Sequence, residues 1–153
     1  DVERSRGLGD VYKRQVQTWD LVDSGKHLDY DGNSTYMSYI NTGAATWNAY
    51  KSGVIRKDSA FVVEDVYVSD VNASNGWAGM TYSSGKIELN TYYMSGYSNS
   101  KKQNVATHEL GHALGLDHST STDVMDAAIT GHTSTQALSQ NDKDSYDAAY
   151  NNY

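Results

Sequence analysis

Met37, Ile40, Ala44 and Trp47 follow one another at intervals of three, four and three, with mostly polar residues between them. That period lays one apolar stripe along a helix. Ser34 can cap its start and Gly53 can stop it. A second helix is predicted over Ser100–Leu114, closed by Gly115. In a short last helix Tyr146, Ala149 and Tyr150 share a face. It is opened by Ser139-Gln140-Asn141-Asp142, a capping box with Asp in place of Glu. Strands are predicted at Trp19–Tyr30, Ala60–Val68, Gly76–Tyr82 and Lys86–Thr91, and Ser83-Ser84-Gly85 joins the last two as a hairpin-like loop. Leu116 to Leu138 is rich in Ser, Thr and Gly and reads as irregular. The order strand, helix, strands, helix, loop, helix predicts an α+β domain, a mixed sheet with helices on it.

Composition narrows the chemistry. At 153 residues the chain fits one domain, and no apolar run approaches a membrane span. The formal net charge of -7 comes from scattered acidic residues. It disfavours nucleic acid and anionic membrane as partners. Without cysteine there is no disulfide, thiolate nucleophile or thiolate metal site, so any metal must sit on His and carboxylate. Thirteen tyrosines against one phenylalanine imply a core of half-polar aromatics whose hydroxyls need partners.

Asp1 to Gln15 has neither helical nor strand period and carries four basic residues, unlike the acidic remainder. Ser5 to Gln15 resembles a sequencing adapter translated in frame. Residues 1–15 are therefore read as an adapter-derived, disordered leader and 16–153 as the single domain.

The decisive segment is Thr107 to Ser119, T-H-E-L-G-H-A-L-G-L-D-H-S. On a helix, His108 and His112 lie about 40° apart around the axis and about one turn along it, so both imidazoles can reach one ion. Glu109 points beside that ion, as suits a base acting on water. Were the helix to continue, His118 would lie about 15 Å along the axis from His108. Gly115 can take the left-handed conformation that ends a helix and turns the chain back. Three imidazoles and an open fourth position form the pattern of a catalytic zinc site, although nickel or copper would also bind such a set. Five fixed positions in H-E-x-x-H-x-x-G-x-x-H correspond to about one chance match per few million starting points. Asp117 is read as a solvated loop carboxylate, and His27 and His132 as ordinary surface or turn residues.

These residues resemble the metzincin clan of zinc peptidases, and within it the matrixins and their bacterial relatives. Ser119 matches the residue that follows the last ligand. Asp123-Val124-Met125 falls where the family places its Met-turn, with Met125 as an apolar floor beneath the metal. Leu138 to Asp142 with Tyr146 and Tyr150 resembles the closing helix. Gly76 to Met80 resembles the edge strand that pairs with substrate through Ala78, Gly79 and Met80, and Asn90-Thr91 resembles the end of the next strand. The resemblance implies a metzincin-like (zincin) catalytic domain, with a mixed twisted sheet, two long helices and a C-terminal helix. It also implies one catalytic Zn2+, protein or peptide substrates, and a secreted, monomeric enzyme. Calcium could be held as well, with no residues assigned to it. Asp126 follows Met125 without a proline, and no tyrosine stands beside that methionine to act as a further ligand.

The chemistry implied is hydrolysis of peptide bonds by activated water, with Glu109 as general base and residues 127–138 walling the pocket for the residue after the cut. A rival from another class is a zinc-stabilised, non-catalytic protein-binding module. Such a module would be expected to lose Glu109, which is present. A different zinc hydrolase on a similar site is disfavoured by the Met-turn and the closing helix.

Overall fold

The computed structural model describes residues 15–153. The leader read as adapter-derived lies outside the described residues except for Gln15, whose carbonyl accepts a hydrogen bond from the Asp117 N–H at 2.7 Å. The elements are β1 (Leu28–Gly32), α1 (Met37–Tyr50), β2 (Ile55–Lys57), β3 (Val66–Val71), β4 (Gly79–Tyr82), β5 (Lys86–Asn90), a short α2 (Thr91–Met94), α3 (Asn99–Ala113), a 3-10 turn at Ile129–Gly131 and α4 (Gln140–Tyr150). Strand order is β2-β1-β3-β5-β4. Neighbours run parallel except β4, which lies antiparallel to β5 at the end of the sheet. This is the mixed sheet with two long helices and a C-terminal helix that the sequence predicts.

Register explains how the sheet is packed. Leu28 pairs with Ile55, Tyr30 with Val66, Val68 with Ile87, and Ile87 and Leu89 with Thr81 and Gly79. Paired residues share a face, and this face is buried. The alternate positions Arg56, Tyr67, Glu88 and Met80 lie on the more open side. Against the apolar face pack Ile40, Ala44 and Trp47 of α1 and Val105, Ala106 and Leu110 of α3. Tyr146 of α4 meets Trp47 edge-on, with ring centroids 5.5 Å apart. Helix α3 is buried on nearly every side over Asn104–Gly111. It is the central element, which is why its sequence lacks a clean apolar stripe.

Three expectations need correction. The strand predicted over Trp19–Tyr30 begins only at Leu28. Asp23 accepts hydrogen bonds from the N–H groups of Gly25 and His27, and that side-chain turn breaks the run. The strand predicted over Ala60–Val68 begins at Val66. Residues 58–65 form an exposed loop in which Phe61 is 97% exposed, because β-branched residues do not make a strand where no neighbour pairs with them. Strand β2 and helix α2, both very short, were not predicted. Ser34 does not cap α1 directly: it stands two residues before the N-cap Tyr36, from whose N–H its hydroxyl accepts, and no side chain caps the helix itself. Helix α4 does open with a complete capping box between Ser139 and Asp142.

Candidate metal centre and cleft

Helix α3 carries His108 and His112 toward one point and then ends in a full Schellman turn. Gly115 takes φ 94°. Its N–H donates to the His112 carbonyl at 2.9 Å, and the Leu116 N–H donates to the Gly111 carbonyl at 3.0 Å. The reversed chain pairs with the N-terminal segment, Val16 bridging Leu116, and brings His118 back. The ligand atoms of His108, His112 and His118 lie within 4.8 Å of one another. The Nε2 atoms of His112 and His118 are 3.1 Å apart.

Outward bonds fix the tautomers. His108 Nδ1 donates to the Val124 carbonyl and His112 Nδ1 to the Leu116 carbonyl, each at 2.8 Å. A carbonyl can only accept, so both protons sit on Nδ1 and both Nε2 lone pairs face inward. Burial, helped by the neighbouring imidazoles, lowers the pKa of His108 to about 3. Burial likewise lowers His112 to about 4. Two neutral imidazoles with inward lone pairs, beside a third whose Nε2 stands 3.1 Å from that of His112, form a donor set that fits zinc.

Glu109 is buried beside them. Its Oε2 lies 2.6 Å from Thr81 Oγ1, and burial raises its pKa to about 7 against the lowering effect of that hydrogen bond. Met125 is 1% exposed and sits under α3. A Cβ at Gly111 would lie 2.3 Å from Met125 Sδ and 2.9 Å from Trp47, so only glycine lets the helix settle there. The turn that carries Met125 is held from α4, since Asp142 accepts from the N–H groups of Val124 and Met125 at 2.8 and 3.2 Å. Val124 thus connects the Asp142 carboxylate to His108.

The histidines and Glu109 lie in a cleft of about 510 Å³. One wall is Trp77 and Ala78, which lead into β4, and Gly79 and Met80 of that strand. The other is Ala127, Ile129 and Thr130. The rest of residues 127–138 does not reach the cleft. Asn104 fastens that part to α3, donating to the Ser134 carbonyl and accepting from the Gln136 N–H. Asp117 is an exposed residue at the rim. His27 belongs to the turn beside Asp23, while His132, read as an ordinary turn residue, is tied to Asp126 at 2.7 Å.

Sequence reasoning missed Thr81, Gly111, Asp142 and Gln17. Gln17 lines the cleft and donates to the His112 carbonyl at 2.9 Å. Only Asp142 left a signal, the capping box, which did not reveal its bonds to the Met125 turn. A second group of carboxylates, Asp23, Asp29 and Asp65, also brings its oxygens within 4.8 Å of one another. There the Arg56 guanidinium already holds Asp29 by two hydrogen bonds of 2.7 and 2.8 Å. Among the described residues no helix is long and apolar enough to cross a membrane.

Residues 16–151 match the family model described as matrixin. No curated protein matches the chain. Among solved structures the chain is similar to high choriolytic enzyme 1, a hatching enzyme zinc-protease from the medaka Oryzias latipes. The identity is 15%, over 87% of this chain and 94% of that one, with a TM-score of 0.49. The family match, and not this remote likeness, bears on the chemistry.

Proposed function

The chain belongs to the matrixin family and is a zinc metalloendopeptidase, and we propose that His108, His112 and His118 hold its catalytic zinc while Glu109 serves as general base. One observation carries this assignment: three imidazoles, two of them with their lone pairs fixed inward, and one buried carboxylate converge on a cleft walled by the last strand of the sheet. Zinc held there supplies Lewis-acid polarisation of a carbonyl and acidification of water. Glu109 takes the proton of the attacking water and later delivers a proton to the departing amine. Strand β4 has no neighbour on its outer side among the described residues, so a substrate can lie extended along Ala78, Gly79 and Met80 as an added strand. Ala127, Ile129 and Thr130 face the side chain that follows the cut. Met125 provides the apolar floor. The substrates are proteins or peptides, and the enzyme acts outside the cell as a monomer.

The test is zinc content and cleavage of unfolded casein by the full chain beside Glu109→Ala. The expected outcome is about one zinc in each, with cleavage lower by about 10²–10⁴-fold in the variant. Zinc binding by both with cleavage by neither would favour a zinc-stabilised binding module instead.

A further inference from the structure

Glu109 reaches the cleft from a buried helix, and the edge strand closes over it. Gly79 and Thr81 are two residues apart on β4 and share the face turned to α3. At Gly79 the approach is so close that a Cβ would lie 2.8 Å from Glu109 Cγ and 2.9 Å from Oε1. At Thr81 the hydroxyl lies 2.6 Å from Oε2 and 3.0 Å from the Glu109 carbonyl. Thr81 is only 9% exposed, so water competes weakly for either contact. The hydroxyl has one hydrogen and two acceptors within reach. The shorter separation lies in the range of a charge-assisted O–H···O⁻ bond and assigns that hydrogen to the carboxylate.

We propose that Thr81 is a positioning residue for Glu109. It anchors Oε2 to the edge strand so that Oε1, lying against Gly79, stays at the cleft wall where the substrate backbone would lie. The bond engages Oε2 and not Oε1, the oxygen against Gly79. Because β4 is also the strand on which substrate would pair, one element fixes the base and the peptide relative to each other. Misplacing a reacting group by about 1 Å can cost about 100-fold in rate. The inference rests on Glu109 being the general base.

The experiment compares wild type, Thr81→Val and Thr81→Ser as full zinc-loaded chains in steady-state cleavage of a peptide substrate, with Glu109→Ala alongside. Valine keeps the shape and removes the hydroxyl, and serine restores it. Thr81→Val is expected to lose about 10- to 100-fold in kcat with KM within about twofold. Zinc stoichiometry should be retained, and Thr81→Ser should return to within about threefold of wild type. A folded, zinc-loaded Thr81→Val with wild-type kcat overturns the inference and leaves Glu109 as base. Equal losses in the valine and serine variants overturn it too, since a packing defect would not discriminate by the hydroxyl. If Thr81→Val does not fold, Thr81→Ser against Thr81→Ala decides by the same kcat criterion. An inactive wild type removes the general-base reading itself, and this inference with it.

Discussion

Two triads in this molecule bring three metal-ligating groups within the same 4.8 Å: His108, His112 and His118 at the end of α3, and Asp23, Asp29 and Asp65 beside β1. They differ in what surrounds them. Burial keeps His108 and His112 neutral, and both are oriented from behind by carbonyls, with lone pairs inward and no cation beside them among the described residues. The carboxylates already have their cation, the Arg56 guanidinium, and Asp65 also accepts the Asp29 N–H at 2.8 Å. Proximity of ligands therefore does not make a metal site. Orientation and an unmet need for positive charge do.

The largest effect should come from stripping the histidine triad. Removal of zinc with a chelator is expected to abolish cleavage and lower the melting temperature, because metal binding stabilises only the folded state. Zinc added back should restore wild type but not His118→Ala. A metal-free chain that still cuts would break the comparison on the histidine side.

A smaller loss is expected behind the triad. Asp142→Ala removes the acceptor for the Val124 and Met125 N–H groups and half of the α4 capping box. Zinc affinity should fall about tenfold, through looser support of His108. Stability should fall by about 1–2 kcal/mol, as for a lost cap. Competition against a zinc indicator and denaturant melts would measure the two. Unchanged zinc affinity would show that the Met125 turn holds itself.

The smallest effect belongs to the aspartates. Burial raises the Asp65 pKa, against the lowering effect of the Asp29 N–H, and the Asp29 and Asp23 charges raise it further. A carboxyl raised in the fold favours the fold when protonated, so its contribution is present in acid and is lost as pH rises through the folded value. Asp65→Asn is neutral at every pH and should change neutral-pH stability by no more than about 0.5 kcal/mol after solvent screening. Arg56→Gln strands Asp29 and should lower the melting temperature more. A melting temperature that rises with calcium in wild type but not in Asp65→Asn would turn the second triad into a cation site and erase the contrast.

The zinc segment was legible because its geometry is local. His108, Glu109 and His112 occupy consecutive turns of one helix, and Gly115 reverses the chain within three residues of His118. The same holds for the α4 capping box, where donor and acceptor are three residues apart. Strand limits were less legible. Phe61, Val62 and Val63 have the composition of a strand, but strand pairing begins at Val66, opposite Tyr30.

Three further residues that shape the site around the histidines were not legible at all. Thr81 meets Glu109 across 28 positions and Gln17 meets His112 across 95, and neither partner marks the other in a linear string. Gly111 stood at an unconstrained position of the motif, and its necessity appears only when Met125 and Trp47 close on it. Thus thirteen consecutive residues, 107–119, were enough to bring three imidazoles together with a carboxylate beside them and a turn, because helical periodicity and one glycine's left-handed backbone act over a few bonds. Where Glu109 rests, what supports His108 and which loop residues reach the cleft depended on contacts between distant segments. Packing and buried hydrogen bonds set those contacts, and they exist only once the sheet, α3 and α4 have come together.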